Sequence, residues 1–401
     1  MRSAGPAYLC AVLSICGCSA LPDTRDGARA PDSESAAADV LINDVPTTFD
    51  VTQPPIDSSA GCVPTVASGG ESTNALCSDG VDNDCNGYID CNDFHCSRNA
   101  AVTVCSVVGR DAGTDSGPIM TGPIGAMGGT VDLLHFSVFG DVRPPNDNAT
   151  SSYPTTSIQS VMRGMQTLGT QFAIASGDYM FASTSSAVNA QLALFISAES
   201  AYHNHIFHGM GNHECNGSTA SNCPAGNEYP NVIGYLSMLN SAYGGLPYFD
   251  WVVHTRLGDA HFISTAPNAW STAQHTWLTR ALAQSATYTF VIAHEGPNAI
   301  GPPSGSPMIE NLIALRAGGV TLRLYGHTHE YYHMSGADYN AVVDGNAGAP
   351  FDGSSAGGQY LGFGVVDQRA DGNIVFTAYQ VGSPPMVNDS WVVTPAGVRS
   401  H

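Results

Sequence analysis

Five short apolar stretches of this chain end in the same way, and that repetition limits the possible folds more than any other feature. Leu133 to Phe139 runs into Gly140-Asp141, and Phe172 to Ala175 runs on to Gly177-Asp178. Ile206 to Met210 runs into Gly211-Asn212-His213-Glu214, Thr289 to Ala293 into His294, and Val320 to Tyr325 into Gly326-His327-Thr328-His329. Each run is β-branched or aromatic and turns polar only at its C-terminal end. That is the pattern of buried strands whose ligand-binding loops gather at one edge of a sheet. Asp, Asp, Asn, His, His and His delivered to such an edge form a metal-binding donor set of N and O atoms without thiolate, which suits Zn, Fe or Mn.

In this order, from residue 141 to residue 329, the motifs GD, GD, GNHE, H and GHTH resemble the calcineurin-like metallophosphoesterases, in the branch that includes the purple acid phosphatases. The segment Trp270-Ser271-Thr272-Ala273-Gln274-His275-Thr276-Trp277-Leu278 is similar to the one preceding the metal-binding His in that branch. The resemblance covers about residues 130–385. It implies an α/β fold, a four-layer α/β/β/α sandwich with two mixed sheets. It also implies two divalent or trivalent ions bridged by Asp178, with Asp141 and His329 completing metal one and Asn212, His294 and His327 completing metal two. The implied activity is hydrolysis of phosphate esters by a hydroxide that the two metals activate, with His213 contacting the phosphate or protonating the leaving oxygen.

Two positions depart from that pattern. Phe181 stands where the purple acid phosphatases place an iron-binding Tyr, and Tyr179 comes two positions early, so no tyrosinate-to-iron colour is expected. Arg143 stands where a related D-x-H motif places His. A guanidinium stays protonated and has no lone pair to give, so it is not a ligand. Arg143 is expected either to reach two oxygens of a bound phosphate or to pair with a nearby carboxylate and set its loop, in a direction restricted by Pro144-Pro145. Metal one is left with three protein ligands, so the alternative function is a catalytically decayed scaffold acting as a surface binding or adhesion protein.

Between the strand runs, Ile158, Val161, Met162, Met165 and Leu168 share one helical face, and Val188 to Ser200, Thr272 to Gln284 and Met308 to Leu315 also read as helices. Alternating strands and helices argue α/β layering. Tyr360 to Val366 and Ile374 to Val381 flank Ala370-Asp371-Gly372, which reads as a hairpin turn. His203, His205, His208, His254, His261 and His275 are read as structural, and His333 nearly so. Cys215 and Cys223 frame a loop after GNHE, either as a disulfide or as two thiols.

The front of the chain has a different character. Met1-Arg2 and the apolar Tyr8 to Ile15 read as a secretion signal, and Ile15-Cys16-Gly17-Cys18-Ser19 resembles a bacterial lipobox with Cys18 lipidated; an ordinary signal cut near Ala20 is the alternative. The expected organisation is a lipoprotein signal over 1–17, a tether over 18–60, a Cys-rich module over 61–106, a linker over 107–129 and the metallophosphoesterase domain over 130–395. The expected location is periplasmic or at the cell surface, anchored in the outer membrane. Of the 11 Cys, eight remain beyond the anchor, an even number suited to disulfides. Asp82, Asp84, Asn86, Tyr88, Asp90 and Asp93, with Gly87 at the sharp turn, have the spacing of an EF-hand-type Ca²⁺ loop, similar to Cys-rich calcium repeats of the thrombospondin type 3 kind. A loop held by disulfides alone is the other reading. The net charge of −21 is shared almost evenly by residues 1–130 and 131–401, and all 13 basic residues are Arg, so no basic patch for nucleic acid is present.

Overall fold

The computed structural model describes residues 63–66, 72–79, 81, 83, 96, 101–104, 121–216, 223, 230–296, 299, 302–351 and 359–400. By contacts the chain divides into Met1–Phe49 and Asp50–His401, and the first unit lies wholly outside the described residues. So do Cys18, the signal, the tether and the calcium-loop residues Asp82, Asp84, Asn86, Tyr88, Asp90 and Asp93.

The described strands and helices follow in chain order: β1 (Gly128–Thr130), β2 (His135–Phe139), α1 (Thr155–Leu168), β3 (Ala173–Ala175), α2 (Ser185–Glu199), β4 (Ile206–His208), α3 (His213–Asn216) and α4 (Pro230–Met238). Then come β5 (Phe249–Thr255), β6 (Gly258–Ser264), α5 (Thr272–Ala283), β7 (Tyr288–Ile292), α6 (Gly305–Leu315), β8 (Leu322–Tyr325), β9 (Tyr331–His333) and β10 (Ala341–Asp344). The last three are β11 (Gly362–Gln368), β12 (Ile374–Gln380) and β13 (Met386–Val393). One sheet has the order β1-β5-β6-β7-β8-β10-β9 and the other β13-β12-β11-β2-β3-β4. Both are mixed. In the second, β2, β3 and β4 run parallel while β11, β12 and β13 pair antiparallel.

Strand alternation explains the layers. Phe136 and Val138 of β2 pack in one cluster with Phe262, Phe290, Ile292 and Leu324 of the other sheet, and this apolar layer joins the two sheets face to face. The opposite face of the six-stranded sheet, with Phe139, Ala173 and Ala175, is covered by Val161, Met162 and Met165 of α1 and by Val188, Leu192 and Phe195 of α2. Ile263 and Val291 on the outer face of the seven-stranded sheet meet Leu278 and Leu282 of α5 and Ile309 and Ile313 of α6. The result is the expected four-layer α/β/β/α sandwich. Local sequence starts and stops the helices: Ser271 Oγ accepts the Gln274 N–H at 3.1 Å ahead of α5, and Gly169, with φ +73°, ends α1.

The five apolar runs become β2, β3, β4, β7 and β8, and the expected hairpin is β11–β12, turning at Gly372 with φ +87°. One expectation needs correction. The five strand ends do not share a sheet edge: β2, β3 and β4 belong to one sheet, β7 and β8 to the other. The hairpin β5–β6 and the edge strands β1, β9 and β13 carry no comparable polar ending; β10 does, since Ala341-Val342-Val343 runs into Asp344-Gly345-Asn346, and the sequence reading passes over it.

In the Cys-rich segment, Cys77 and Cys96 form a disulfide and are buried with Val102. Asn74 Oδ1 accepts the Thr103 N–H at 2.6 Å, and the Asn83 amide donates to both oxygens of Asp79 at 3.0 Å. No helix among the described residues is long and apolar enough to cross a membrane.

Candidate metal centre

The site lies where the C-terminal ends of strands from both sheets meet. Four of its residues, Asp141 (φ 59°), Asp178 (φ 62°), His327 (φ 78°) and His329 (φ 49°), have left-handed backbone, which is uncommon outside glycine and costs about 1–3 kcal/mol each. Tertiary hydrogen bonds fix that conformation. The Asp141 and Val142 N–H groups donate to Gly177 O and Asp178 O at 3.1 and 3.0 Å, lacing the first two loops together. The His327 N–H donates to Asp141 Oδ2 at 2.8 Å, joining the two sheets at the site. Gly211 has to be glycine, since a Cβ there would stand 2.3 Å from Asp178 Oδ1.

Side-chain donor atoms converge within this frame. Nε2 of His294 lies 3.3 Å from Asp178 Oδ1, 3.9 Å from Asp141 Oδ1 and 3.1 Å from Asn212 Oδ1. Asn212 Oδ1 is also 3.2 Å from His327 Nδ1, and His329 Nε2 is 3.6 Å from Asp141 Oδ1. Donor atoms of Asp141, Asp178 and His294 all lie within 4.8 Å of one another. Two donors about 2.1 Å from one ion stand roughly 3.0–3.4 Å apart, so the Asp178–His294, Asn212–His294 and Asn212–His327 separations fit ligand pairs on a shared cation, while the two to Asp141 Oδ1 are longer. The far ring nitrogens are already occupied: His294 Nδ1 donates to Ser176 O at 3.1 Å and His329 Nδ1 to Pro350 O at 2.6 Å, so each aims Nε2 into the site. Asp141 Oδ1 is buried with no hydrogen-bond donor among the described residues. A buried carboxylate oxygen without a donor is what a cation would satisfy, and the residues fit a metal.

The electrostatics agree. Burial pushes the Asp141 carboxyl up from its ordinary value; burial also works on Asp178, but the charges of His294, His213 and Arg143 outweigh it and hold that carboxyl well below the usual range. Burial works against a charged His294, yet Asp178 and Asp141 lift it to about 10. The carboxylate pair therefore demands a positive charge at that nitrogen.

His213 is 2% exposed and burial lowers it to about 4, so its ring is neutral near pH 7. Its Nε2 lies 3.9 Å from Asp178 Oδ2, and the ring stands edge-on to Phe181 at 4.8 Å. Arg143 lies over the other part of that aromatic contact, its guanidinium 5.2 Å from the Phe181 centroid. Nε of Arg143 is 3.6 Å from Asp178 Oδ2, and one terminal nitrogen donates to Pro144 O at 3.3 Å. Tyr179 is buried away from the ligands, its hydroxyl donating to Gly209 O at 2.8 Å.

The structure thus brings together Asp141, Asp178, Asn212, His213, His294, His327, His329 and Arg143. The other histidines have partners elsewhere: His208 with Glu199 at 2.8 Å, His254 with Asp259 at 2.9 Å, His261 with Asp250 at 2.6 Å, and His333 stacked on Trp391. Cys215 and Cys223 form a disulfide beside the GNHE turn. Sequence reasoning missed two site residues. Glu295 is 4% exposed, raised to about 7 by burial, and its Oε1 lies 3.5 Å from His327 Nδ1 while Oε2 accepts the Asn268 amide at 2.8 Å. The acid directly following His294 at a strand end was the available signal for Glu295; nothing local marks Asn268.

The family model of the calcineurin-like phosphoesterases matches residues 156–331, a segment that contains every candidate ligand except Asp141. No curated protein matches the chain. Among solved structures the chain is similar to the purple acid phosphatase PPD1 isolated from yellow lupin (Lupinus luteus) seeds, with 15% identity, 66% of this chain and 54% of that chain covered, and a TM-score of 0.47. It therefore spans about half the length of that relative. It is also similar to GAP50, the anchor in the inner membrane complex of Plasmodium (13% identity, 66% and 89% covered, TM-score 0.44), and to the calcineurin-like phosphoesterase YfkN from Bacillus subtilis (9%, 67% and 93%, TM-score 0.34).

Proposed function

We propose that the chain hydrolyses phosphate esters with the help of two metal ions held by Asp141, Asp178, Asn212, His294, His327 and His329. The observation that carries this reading is the convergence of Asp141, Asp178 and His294 on one buried point, at a carboxylate oxygen that no hydrogen bond among the described residues satisfies. Asp178 would serve both ions, since its carboxylate offers two oxygens on different neighbours, Oδ1 at 3.3 Å from His294 Nε2 and Oδ2 at 3.6 Å from Arg143 Nε. When bound, such ions, Zn, Fe or Mn, supply Lewis acidity and lower the pKa of a shared water. The chain's own residues hold and orient. His213, neutral near pH 7, offers an imidazole N–H to a phosphate oxygen or to the leaving oxygen. Arg143, 3.6 Å from the bridging carboxylate, is close enough to contact a phosphate placed across it.

The test is metal analysis of the full chain with hydrolysis of a chromogenic monoester and diester. About two metals and turnover support the reading; no metal after supplementation with Zn, Mn and Fe favours the decayed scaffold, for which the Arg143 and Phe181 departures speak. The sequence supports export and a lipid anchor on Cys18, which Cys18→Ser would release from membranes. It also supports Ca²⁺ in the loop Asp82 to Asp93, where chelation would expose residues 77–105 to proteolysis.

A further inference from the structure

We infer that Arg143 and Glu295 make the centre electrostatically unequal, so that the Asn212–His294–His327 side takes one cation tightly and the Asp141–His329 side takes the second at least ~10-fold more weakly. This rests on the metal-dependent reading above. Asp178 offers two oxygens: Oδ1 lies 3.3 Å from His294 Nε2, so in this proposal the other, Oδ2, serves the side of Asp141 and His329. That Oδ2 faces Arg143 Nε at 3.6 Å. The Arg143 side chain is 16% exposed, its Nε is buried without a hydrogen-bond acceptor among the described residues, and Phe181 flanks the guanidinium. Arginine cannot discharge by losing a proton at working pH, so a fixed positive charge already stands beside the oxygen that the second cation needs. At an effective dielectric of ~20, a unit charge ~6 Å from a divalent ion repels it by enough for far more than a ten-fold loss of affinity, so ten-fold is a lower bound after screening.

The other side gains the opposite charge. Glu295 Oε1 lies 3.5 Å from His327 Nδ1, the nitrogen that also meets Asn212 Oδ1. Glu295 is held in place: Asn268 donates to its Oε2 at 2.8 Å, and its main-chain oxygen accepts Ser306 Oγ–H at 2.8 Å. A carboxylate fixed this way, against a ring that would hold the first cation, adds negative charge beside that cation. Arg143 and Glu295 are therefore positioning residues for the metals, and their effect falls on affinity before it falls on rate.

The experiment is calorimetric titration of chelator-stripped full-length protein with Zn²⁺, in saturating Ca²⁺ so that any calcium loop stays filled, with bound zinc counted after desalting. Wild type should show one tight step and one at least ~10-fold weaker. Arg143→Ala and Arg143→His should strengthen the weak step at least ~10-fold, whereas Arg143→Lys, which keeps the charge, should leave the gap in place. Glu295→Gln should weaken the tight step and spare the other. Melting temperatures identify any variant that fails to fold. Two equal steps in wild type, or an unchanged gap in a folded Arg143→Ala protein, would overturn the inference while leaving the metallophosphoesterase reading intact. No zinc bound by any of the proteins would instead sink the reading it rests on, and the inference with it.

Discussion

Glu214 holds Asp178 from behind: its Oε2 accepts the Asp178 main-chain N–H at 2.8 Å. The same carboxylate accepts the N–H groups of Gly211 and Tyr179, each at 2.8 Å, and it is completely buried. One side chain thus ties the loop after β4 to the loop after β3 and sustains the left-handed backbone that aims the Asp178 carboxylate into the site.

Glu214→Ala should therefore act on stability and on metal together. Three buried N–H groups lose their acceptor, and an unsatisfied buried donor costs about 1–3 kcal/mol, so a loss of roughly 3 kcal/mol or more is expected in urea unfolding. Metal content should fall too, as Asp178 relaxes. A loss under about 1 kcal/mol with full metal content would show that the Asp178 loop holds itself.

Asp178→Ala and Asn212→Ala should each abolish hydrolysis and lower bound metal, because each removes an oxygen that meets His294 Nε2 within 3.3 Å. Near-normal turnover in Asp178→Ala would sink the bridging assignment.

His213 makes a pH prediction. Its folded-state value is lowered to about 4 from an ordinary 6.5. For a base depressed on folding, the unfolded chain takes up the proton first, so stability is full above pH 6.5 and falls as pH drops toward 4. Between pH 7 and pH 5 this one ring should account for about 2 kcal/mol of lost stability. Denaturant titrations at both pH values should show a smaller drop in His213→Gln than in wild type, and an identical drop would mean that His213 is not buried neutral.

Purified protein loaded with Fe³⁺ should lack a visible tyrosinate-to-iron band. Position 181 is Phe, and the buried hydroxyl of Tyr179 is turned to Gly209 O. A band in the visible region that disappears in Tyr179→Phe would contradict this placement.

The sequence by itself determined the strands that carry the site and most of the residues at their ends. β2, β3, β4, β7 and β8 each announce themselves through an apolar run that turns polar at one end, a signal contained in six to nine consecutive residues. Asp141, Asp178, Asn212, His294, His327 and His329 could be named because each stands where such a run stops. The tertiary structure decided what those ends face. That they come from two sheets follows from how Phe136, Phe262 and Phe290 pack between the layers, a contact no local period encodes. Glu214 reaches Asp178 across 36 residues, and Asn268 reaches Glu295 across 27. The Arg143 guanidinium turns to Asp178 Oδ2, a direction set by Phe181 and the fold of the next loop. Strand and ligand type are written in neighbouring residues, whereas partner and direction arise only when distant segments exclude water together and buried polar groups must satisfy one another.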